Sequence, residues 1–322
     1  MKVFILAGGF ATRLWPLTER RAKPLLPVAG KPILTFAVEQ VPTELPITVS
    51  TNAVFAEDFK TWKNTVKGRS VTVSIEDAGH EGEKLGALGA VAKWLRDENV
   101  DDDVLLLAGD NFASADLSAF IRLFRGNPLV AGHDVGEPDL ARQFGTIITG
   151  KKDGMLAPVI SFEEKPLKPK STIVSTGWWI LPKSSLGVLK EYARTHPDNV
   201  GGVFEEFLRQ NITVDCFTFT ELWKDIGSFE AYMALHRDVV GERVLSAPGT
   251  EISKDSALRG SVDIGKKCAV RGSSLTDCIL FPGCSVTDCV LNRCVIDEDC
   301  VLEGVEVTDK MIRAGTVLKL KR

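Results

Sequence analysis

The sequence predicts an α/β protein: a mostly parallel mixed sheet covered by helices over residues 1–240, a linker at 241–250, and a small parallel β-solenoid over 251–322. Two patterns predict it. In the first part, short apolar runs alternate with amphipathic stretches, the rhythm of strands joined by crossover helices. In the last part, single aliphatic residues return at short fixed intervals and no helical period survives.

The short apolar runs at residues 3–7, 47–51, 71–75, 104–108 and 129–132 read as buried strands. The amphipathic stretches 33–41, 56–66, 87–97 and 117–124 between them read as helices. Such sheets bind ligands beyond the strand C-termini, near a switch in strand order. From about Phe144 the strands shorten to 146–148, 159–162 and 176–181, and helices return at 184–193, 203–209 and 228–240.

After the linker the texture is rich in Gly, Asp and Ser. From Val270 onward the aliphatics fall at steps of 5, 5 and 6, a 16-residue repeat that places Val270, Val286, Leu302 and Leu318 one turn apart. Three short sides per repeat describe a triangular solenoid. Cys268, Cys278, Cys284, Cys289, Cys294 and Cys300 each precede one of these aliphatics by two residues. Strand alternation then turns both inward, where free cysteine acts as a small apolar residue. No pair is spaced as a CxxC metal ligand set, and no histidine follows His236.

Composition sets the exclusions. The 322 residues suggest about two domains at ~150 residues each. With 44% hydrophobic and 25% charged residues the chain can bury a core. A net charge of −4 argues against nucleic acid or an anionic membrane as partner. No apolar run approaches the ~18 residues of a membrane span. The start MKVFILAGGF is too short an apolar stretch for a signal peptide. With an odd cysteine count, this predicts a cytoplasmic protein with free thiols.

The densest chemical signal is at the head of the chain. A strand ending in Leu6 and Ala7 runs into Gly8 and Gly9, then Arg13, and later Lys23 and Lys31. Glycines let backbone N–H groups approach phosphate oxygens; Arg13 can fork onto a phosphate and Lys23 adds a point charge. Residues 1–32 hold six Lys or Arg against one acid, a local charge of +5. The pattern is neither GxGxxG nor GxxxxGK[ST]. Asp110 closes the buried run 104–108 through Gly109, and Asp225 precedes a helix; Mg²⁺ uses one or two carboxylates with substrate phosphates and water. Glu164 and Lys165 end another strand, the first suited to sugar hydroxyls and the second to a phosphate. Gly145 and Thr176–Gly177 bring glycines into strands, where a ligand often comes close. His80, His133, His196 and His236 lack partners at telling spacing.

Taken in order, GGFATRLWPLT, KPLLPVAGKP, LAGD, FEEKP, STGWW and WKDIGS resemble the sugar-nucleotide pyrophosphorylases, the sugar-1-phosphate nucleotidyltransferase family, along essentially the whole chain. The resemblance implies a Rossmann-like nucleotidyltransferase domain followed by a left-handed β-helix. It implies that an NTP and a sugar 1-phosphate yield an NDP-sugar and pyrophosphate. Leu6, Ala7, Gly8, Gly9, Arg13, Lys23, Gly86 and Asp110 would then lie on the nucleotide side. Gly145, Glu164, Lys165, Thr176 and Gly177 would line the sugar-phosphate side, and Asp110 and Asp225 would hold Mg²⁺. Arg13, Lys23 and Lys165 would offset the charge of the reacting phosphates. Gly86-Ala87-Leu88-Gly89-Ala90 departs from the family's usual base-contacting GTAGA, and Ala11 replaces a usual glycine. We expect Ala11 at negative φ, where alanine is unstrained.

Within this reading, glucose 1-phosphate with dTTP or UTP is the first expectation and mannose 1-phosphate with GTP the second. A non-catalytic regulatory subunit would have no need of the charged set. A solenoid acyltransferase would call for a histidine base, which this solenoid lacks. The flat sides and terminal coil of a solenoid favour a homo-oligomer.

Overall fold

The computed structural model describes residues 1–320. The chain sorts into two compact units: Met1–Gly9 with Leu34–Trp223, and Phe10–Ile33 with the chain from Lys224 onward.

The first unit is built on nine strands: β1 (Lys2–Leu6), β2 (Ile47–Asn52), β3 (Val71–Glu76), β4 (Val104–Ala108), β5 (Leu129–Asp134), β6 (Gly145–Thr149), β7 (Leu156–Glu164), β8 (Ile173–Leu181) and β9 (Asp215–Phe219). Their order is β3-β2-β1-β4-β8-β5-β9-β7-β6. β3, β2, β1 and β4 pair in parallel. β8 runs against β4 and β5, and β7 against β9 and β6, while β9 follows β5. Only β7 and β8 thus oppose the rest; at nine residues each they are the longest strands of the sheet, where the sequence reading expected shorter ones.

Both faces of the sheet are covered. The successive residues Val3, Phe4 and Ile5 are all buried, which one covered face could not achieve because alternate side chains point to opposite faces. One cover comes from helices Ala87–Asp97, Leu186–Thr195 and Gly202–Arg209, whose Leu88, Val91, Trp94, Leu189, Phe204 and Phe207 join Phe4, Leu106, Val130 and Trp179 in one core. Phe4 stacks on Trp94 with ring centroids 4.7 Å apart. Each such side chain contributes about 1.5–3 kcal/mol by leaving water.

In the second unit, Ser228 caps helix Phe229–Val240, its Oγ accepting the Ala231 N–H at 3.1 Å. Short parallel strands then stack in three rows. One row pairs Val270 with Val286, Val286 with Leu302, and Leu302 with Leu318, the 16-residue repeat read from the sequence. A second row runs Leu258, Leu275, Leu291, Val307, and a third Ile264, Leu280, Ile296, Ile312. The strands thus build the triangular parallel β-helix.

Its corners explain its composition. Lys267, Gly272, Asp277, Gly283, Asp288, Arg293, Asp299, Gly304, Asp309 and Gly315 all have positive φ, and they too fall at steps of 5, 5 and 6. Glycine takes this conformation freely and aspartate tolerates it. Each of the six solenoid cysteines directly follows such a corner, and all seven cysteines of the chain are free and buried. Their thiols also donate across coils: Cys268 Sγ to Phe281 O at 3.1 Å, Cys284 Sγ to Asp297 O at 3.0 Å, and Cys300 Sγ to Arg313 O at 3.1 Å. Cysteine therefore fills a narrow core and satisfies a carbonyl at once.

Candidate active site

In the first unit, the parallel strands deliver Leu6, Ala7, Gly8, Gly9 and Asp110 to one rim. Leu6 pairs with Ala108, and Gly109 N–H donates to Leu6 O at 2.8 Å, so the glycine turn and the Asp110 turn leave the sheet side by side. The turn is pinned by Asn52 Nδ2, which donates to Gly8 O at 3.0 Å. Asp110 is half-buried. Gly86 opens helix Ala87–Asp97 at φ 75°, and a Cβ there would lie 2.5 Å from Pro197 O. Only glycine fits, so packing against Pro197 by itself demands it.

Glu76 belongs to this rim and escaped the sequence reading. It ends β3, is buried, and its Oε1 lies 3.4 Å from where a Cβ on Gly8 would sit. Burial pushes its carboxyl above the usual range, opposed by the Leu85 N–H and by Lys93. The carboxylate thus stands between the glycine turn and the Gly86 segment. No motif marks it; the only available signal was an acid at the end of an otherwise alternating strand.

The residues expected on the sugar-phosphate side form a second cluster of this unit. β8 bulges between Ser175 and Trp179. Gly177 sits there at φ 78°, and a Cβ on it would lie 2.5 Å from Ala108 Cβ, which ties this strand to the one preceding Asp110. The Thr176 side chain is fully buried and its hydroxyl donates to Ala131 O at 3.0 Å. Its carbonyl accepts from Asn111 Nδ2 at 3.0 Å and Trp223 Nε1 at 3.2 Å. Thr176 therefore holds the bulge in place with both of its polar groups.

Glu164 packs against two glycines: a Cβ on Gly145 would come within 2.9 Å of its Oε2, and one on Gly201 would collide with it. Burial raises the Glu164 carboxyl; Lys165 opposes the rise and Glu205 adds to it. Lys165 follows at φ 45°, its Nζ 3.7 Å from Glu164 Oε1 and 66% exposed. An exposed lysine beside a half-buried carboxylate can reach outward to an anion.

In the second unit, Arg13, Lys23 and Asp225 converge. Lys23 is buried and its Nζ lies 2.7 Å from Asp225 Oδ1. A Cβ on Gly227 would meet Arg13 Nη2 and Asp225 Oδ2, each at 3.4 Å, so the glycine keeps room for guanidinium and carboxylate together. The two cations arrive on short 3₁₀ turns, Thr12–Leu14 and Lys23–Leu25.

Ala11 corrects the sequence reading. Its φ and ψ are both 48°, left-handed rather than negative. Its carbonyl accepts the Leu14 N–H at 3.1 Å and the Thr18 hydroxyl at 3.0 Å. These bonds set the turn that presents Arg13, and alanine bears a strain of about 1–2 kcal/mol to make them.

The chain matches the Nucleotidyl transferase family over residues 2–242 and belongs to that family. It is a nucleotidyltransferase. It is 24% identical over 272 residues to the low-salt glycan biosynthesis nucleotidyltransferase of Haloferax volcanii, covering 83% of this chain and 73% of that protein. It is 24% identical over 289 residues to a Sulfolobus acidocaldarius protein named as a mannose-1-phosphate guanyltransferase, covering 87% and 76%. It is 24% identical over 273 residues to the UTP–glucose-1-phosphate uridylyltransferase of Synechocystis, covering 78% and 67%. A UDP-glucose pyrophosphorylase crystal structure matches the fold with a TM-score of 0.62 at 15% identity, over 74% of this chain and 97% of that one. Among the described residues no helix is long and apolar enough to cross a membrane.

Proposed function

We propose that the chain joins an NTP to a sugar 1-phosphate, releasing pyrophosphate and forming an NDP-sugar. The observation that carries this reading is the convergence of Arg13 and Lys23 on Asp225. We take 1–240 as the catalytic domain, in line with the family match over 2–242, and keep 241–250 as linker and 251–322 as a β-helix of left-handed type.

The chemistry asks for charge management. A phosphate monoester with a second pKa near ~6 is mostly dianionic at pH 7, so it attacks the α-phosphorus without a general base. The new P–O bond forms as the bond to pyrophosphate breaks, in line, and pyrophosphate carries away the electron pair. Arg13, Lys23 and Lys165 offset repulsion between the anions. Gly8 and Gly9 bring backbone close to the NTP, Gly86 borders the base, and Gly145, Glu164 and Gly177 shape the sugar side.

Mg²⁺ suits the donor set. It is a hard cation that takes one or two carboxylates and completes its shell with phosphate and water. Asp225 already turns one oxygen to a cation, Lys23; Asp225 and Asp110 are the carboxylates we assign to the metal. When bound, it neutralises phosphate charge.

Glucose 1-phosphate with dTTP or UTP is the first pairing, in line with the Synechocystis relative. Glu76 favours the second, mannose 1-phosphate with GTP. A buried carboxylate accepts two hydrogen bonds side by side, and guanine alone among the bases offers two adjacent donors on its pairing edge. Pyrophosphate release from five NTPs against a set of sugar 1-phosphates decides the matter; no release with any pair would overturn the reading. We place the enzyme in the cytoplasm, as a homo-oligomer whose β-helix supplies the contact.

A further inference from the structure

We infer that the β-helix holds the cation-bearing segment Phe10–Ile33 in its working shape, with Arg21 and Asp297 as positioning residues for Arg13 and Lys23. The inference rests on the nucleotidyl-transfer reading of those two cations.

The segment has little structure of its own: two 3₁₀ turns and a two-residue ladder of Pro27–Val28 with Lys31–Pro32. It groups with the solenoid instead, and polar ties along its length account for this. Arg21 is the central one. Its Nη1 lies 2.6 Å from Asp297 Oδ1 and its Nη2 2.8 Å from Glu298 Oε1. Its guanidinium carbon sits 4.7 Å above the centre of the Phe281 ring. The pair is dry, with side-chain exposures of 14% for Arg21 and 3% for Asp297. Asp297 Oδ1 also accepts the Glu298 N–H at 2.8 Å, which fixes the carboxylate.

Further ties flank it. Arg313 forks onto Glu19 with contacts of 2.6 and 2.5 Å. Asp263 Oδ2 accepts the Gly30 N–H at 2.8 Å. The Tyr232 hydroxyl, on helix Phe229–Val240, donates to Pro27 O at 2.5 Å. Lys23 and Arg13 lie between or beside these anchors, Lys23 only two residues beyond Arg21.

Arg21 was part of the basic cluster read from the sequence. Its donors are committed to Asp297 and Glu298, so its charge serves the segment's shape and not a phosphate. Asp297 and Arg21 differ in energy from the exposed Glu19–Arg313 pair: a surface ion pair is worth little, whereas removing one partner of a buried pair leaves an uncompensated charge. Asp297 is therefore the residue on which the segment's geometry depends most. A cation displaced by about 1 Å can cost on the order of 10²-fold in rate.

The test compares Asp297→Ala, Asp297→Glu and Arg21→Lys with the parent full-length chain. Hydrogen exchange by mass spectrometry is read over peptides from residues 10–33, beside kcat and KM for NTP and for sugar 1-phosphate at 25 °C. Asp297→Ala is expected to speed exchange in 10–33 by at least about tenfold and to lower kcat/KM for NTP by about 10- to 100-fold. KM for sugar 1-phosphate should move less than about twofold, and Asp297→Glu should restore most of the loss. Arg21→Lys keeps the charge but not the fork and should fall between, which gives a folded variant if Asp297→Ala does not fold. Unchanged exchange in 10–33, or a lowered Tm with unchanged kcat/KM, overturns the proposal. A parent enzyme that releases no pyrophosphate with any pair overturns the nucleotidyl-transfer reading instead, while exchange still decides whether the solenoid holds the segment.

Discussion

Lys23 Nζ and Asp225 Oδ1 stand 2.7 Å apart although 202 residues separate them in the chain. The lysine ends a loop and the aspartate precedes a helix. Their pairing joins the basic head of the chain to a carboxylate of the expected metal set, and it motivates the first prediction.

Arg13→Ala and Asp225→Ala should each lower kcat by about 10²–10³, the usual cost of removing one preorganised charge stabiliser. Circular dichroism should show an intact fold, since Arg13 is exposed and Asp225 only half-buried. Turnover within about twofold of the parent would contradict their roles.

Glu76→Gln should narrow the preference for GTP over UTP or dTTP by about 10-fold or more, because a bidentate pairing is worth about 1–3 kcal/mol of discrimination. Burial raises the Glu76 carboxyl, so in the parent enzyme KM for GTP should climb on acidification at a pH above the ordinary carboxylate range. A parent enzyme that prefers dTTP and is insensitive to the substitution removes this role.

Ala11→Gly should raise stability by up to about 1 kcal/mol. Glycine adopts the left-handed turn without strain, partly offset by its greater freedom when unfolded. A Tm that falls, with activity retained, would show that alanine pays no penalty there.

His236 sets a pH limit on stability. It is fully buried, and neither ring nitrogen has a hydrogen-bond partner among the described residues. Burial lowers its pKa to about 4, with Asp277 opposing the fall. A free histidine titrates at ~6.5, so below that pH the unfolded chain binds the proton first. Stability should decline from pH ~6.5 to ~4 by about 3 kcal/mol in total. His236→Leu should flatten urea midpoints over that range; an unchanged slope would place the titrating group elsewhere.

The solenoid was the most legible part, since each coil repeats a local rule. A left-handed corner takes Gly, Asp or a stray Lys or Arg; at six of the ten corners the next residue is a cysteine; the third after the corner is aliphatic. Strands β1 and β4 were legible because burial on both faces leaves an uninterrupted apolar run, whereas the edge strand β3 alternates and leaves Thr72 and Ile75 exposed. Glu76 was not, because its site depends on β1 and β3 ending at one rim. Ala11 was misread because its φ is set by bonds to Leu14 and Thr18, not by its own preference. Thr176 drew notice for its neighbour glycine, yet the bulge it supports needs Ala131, Asn111 and Trp223 from three distant stretches.

Periodicity, burial pattern and motif order, all carried by neighbouring residues, determined from the sequence alone that this is a nucleotidyltransferase sheet followed by a triangular solenoid. Tertiary structure alone decided that Lys23 meets Asp225, that Arg21 belongs to Asp297, and that Glu76 faces Gly8. The physical reason is that hydrogen bonds and ion pairs act over about 3 Å, so they depend on where the folded backbone places residues far apart in the chain.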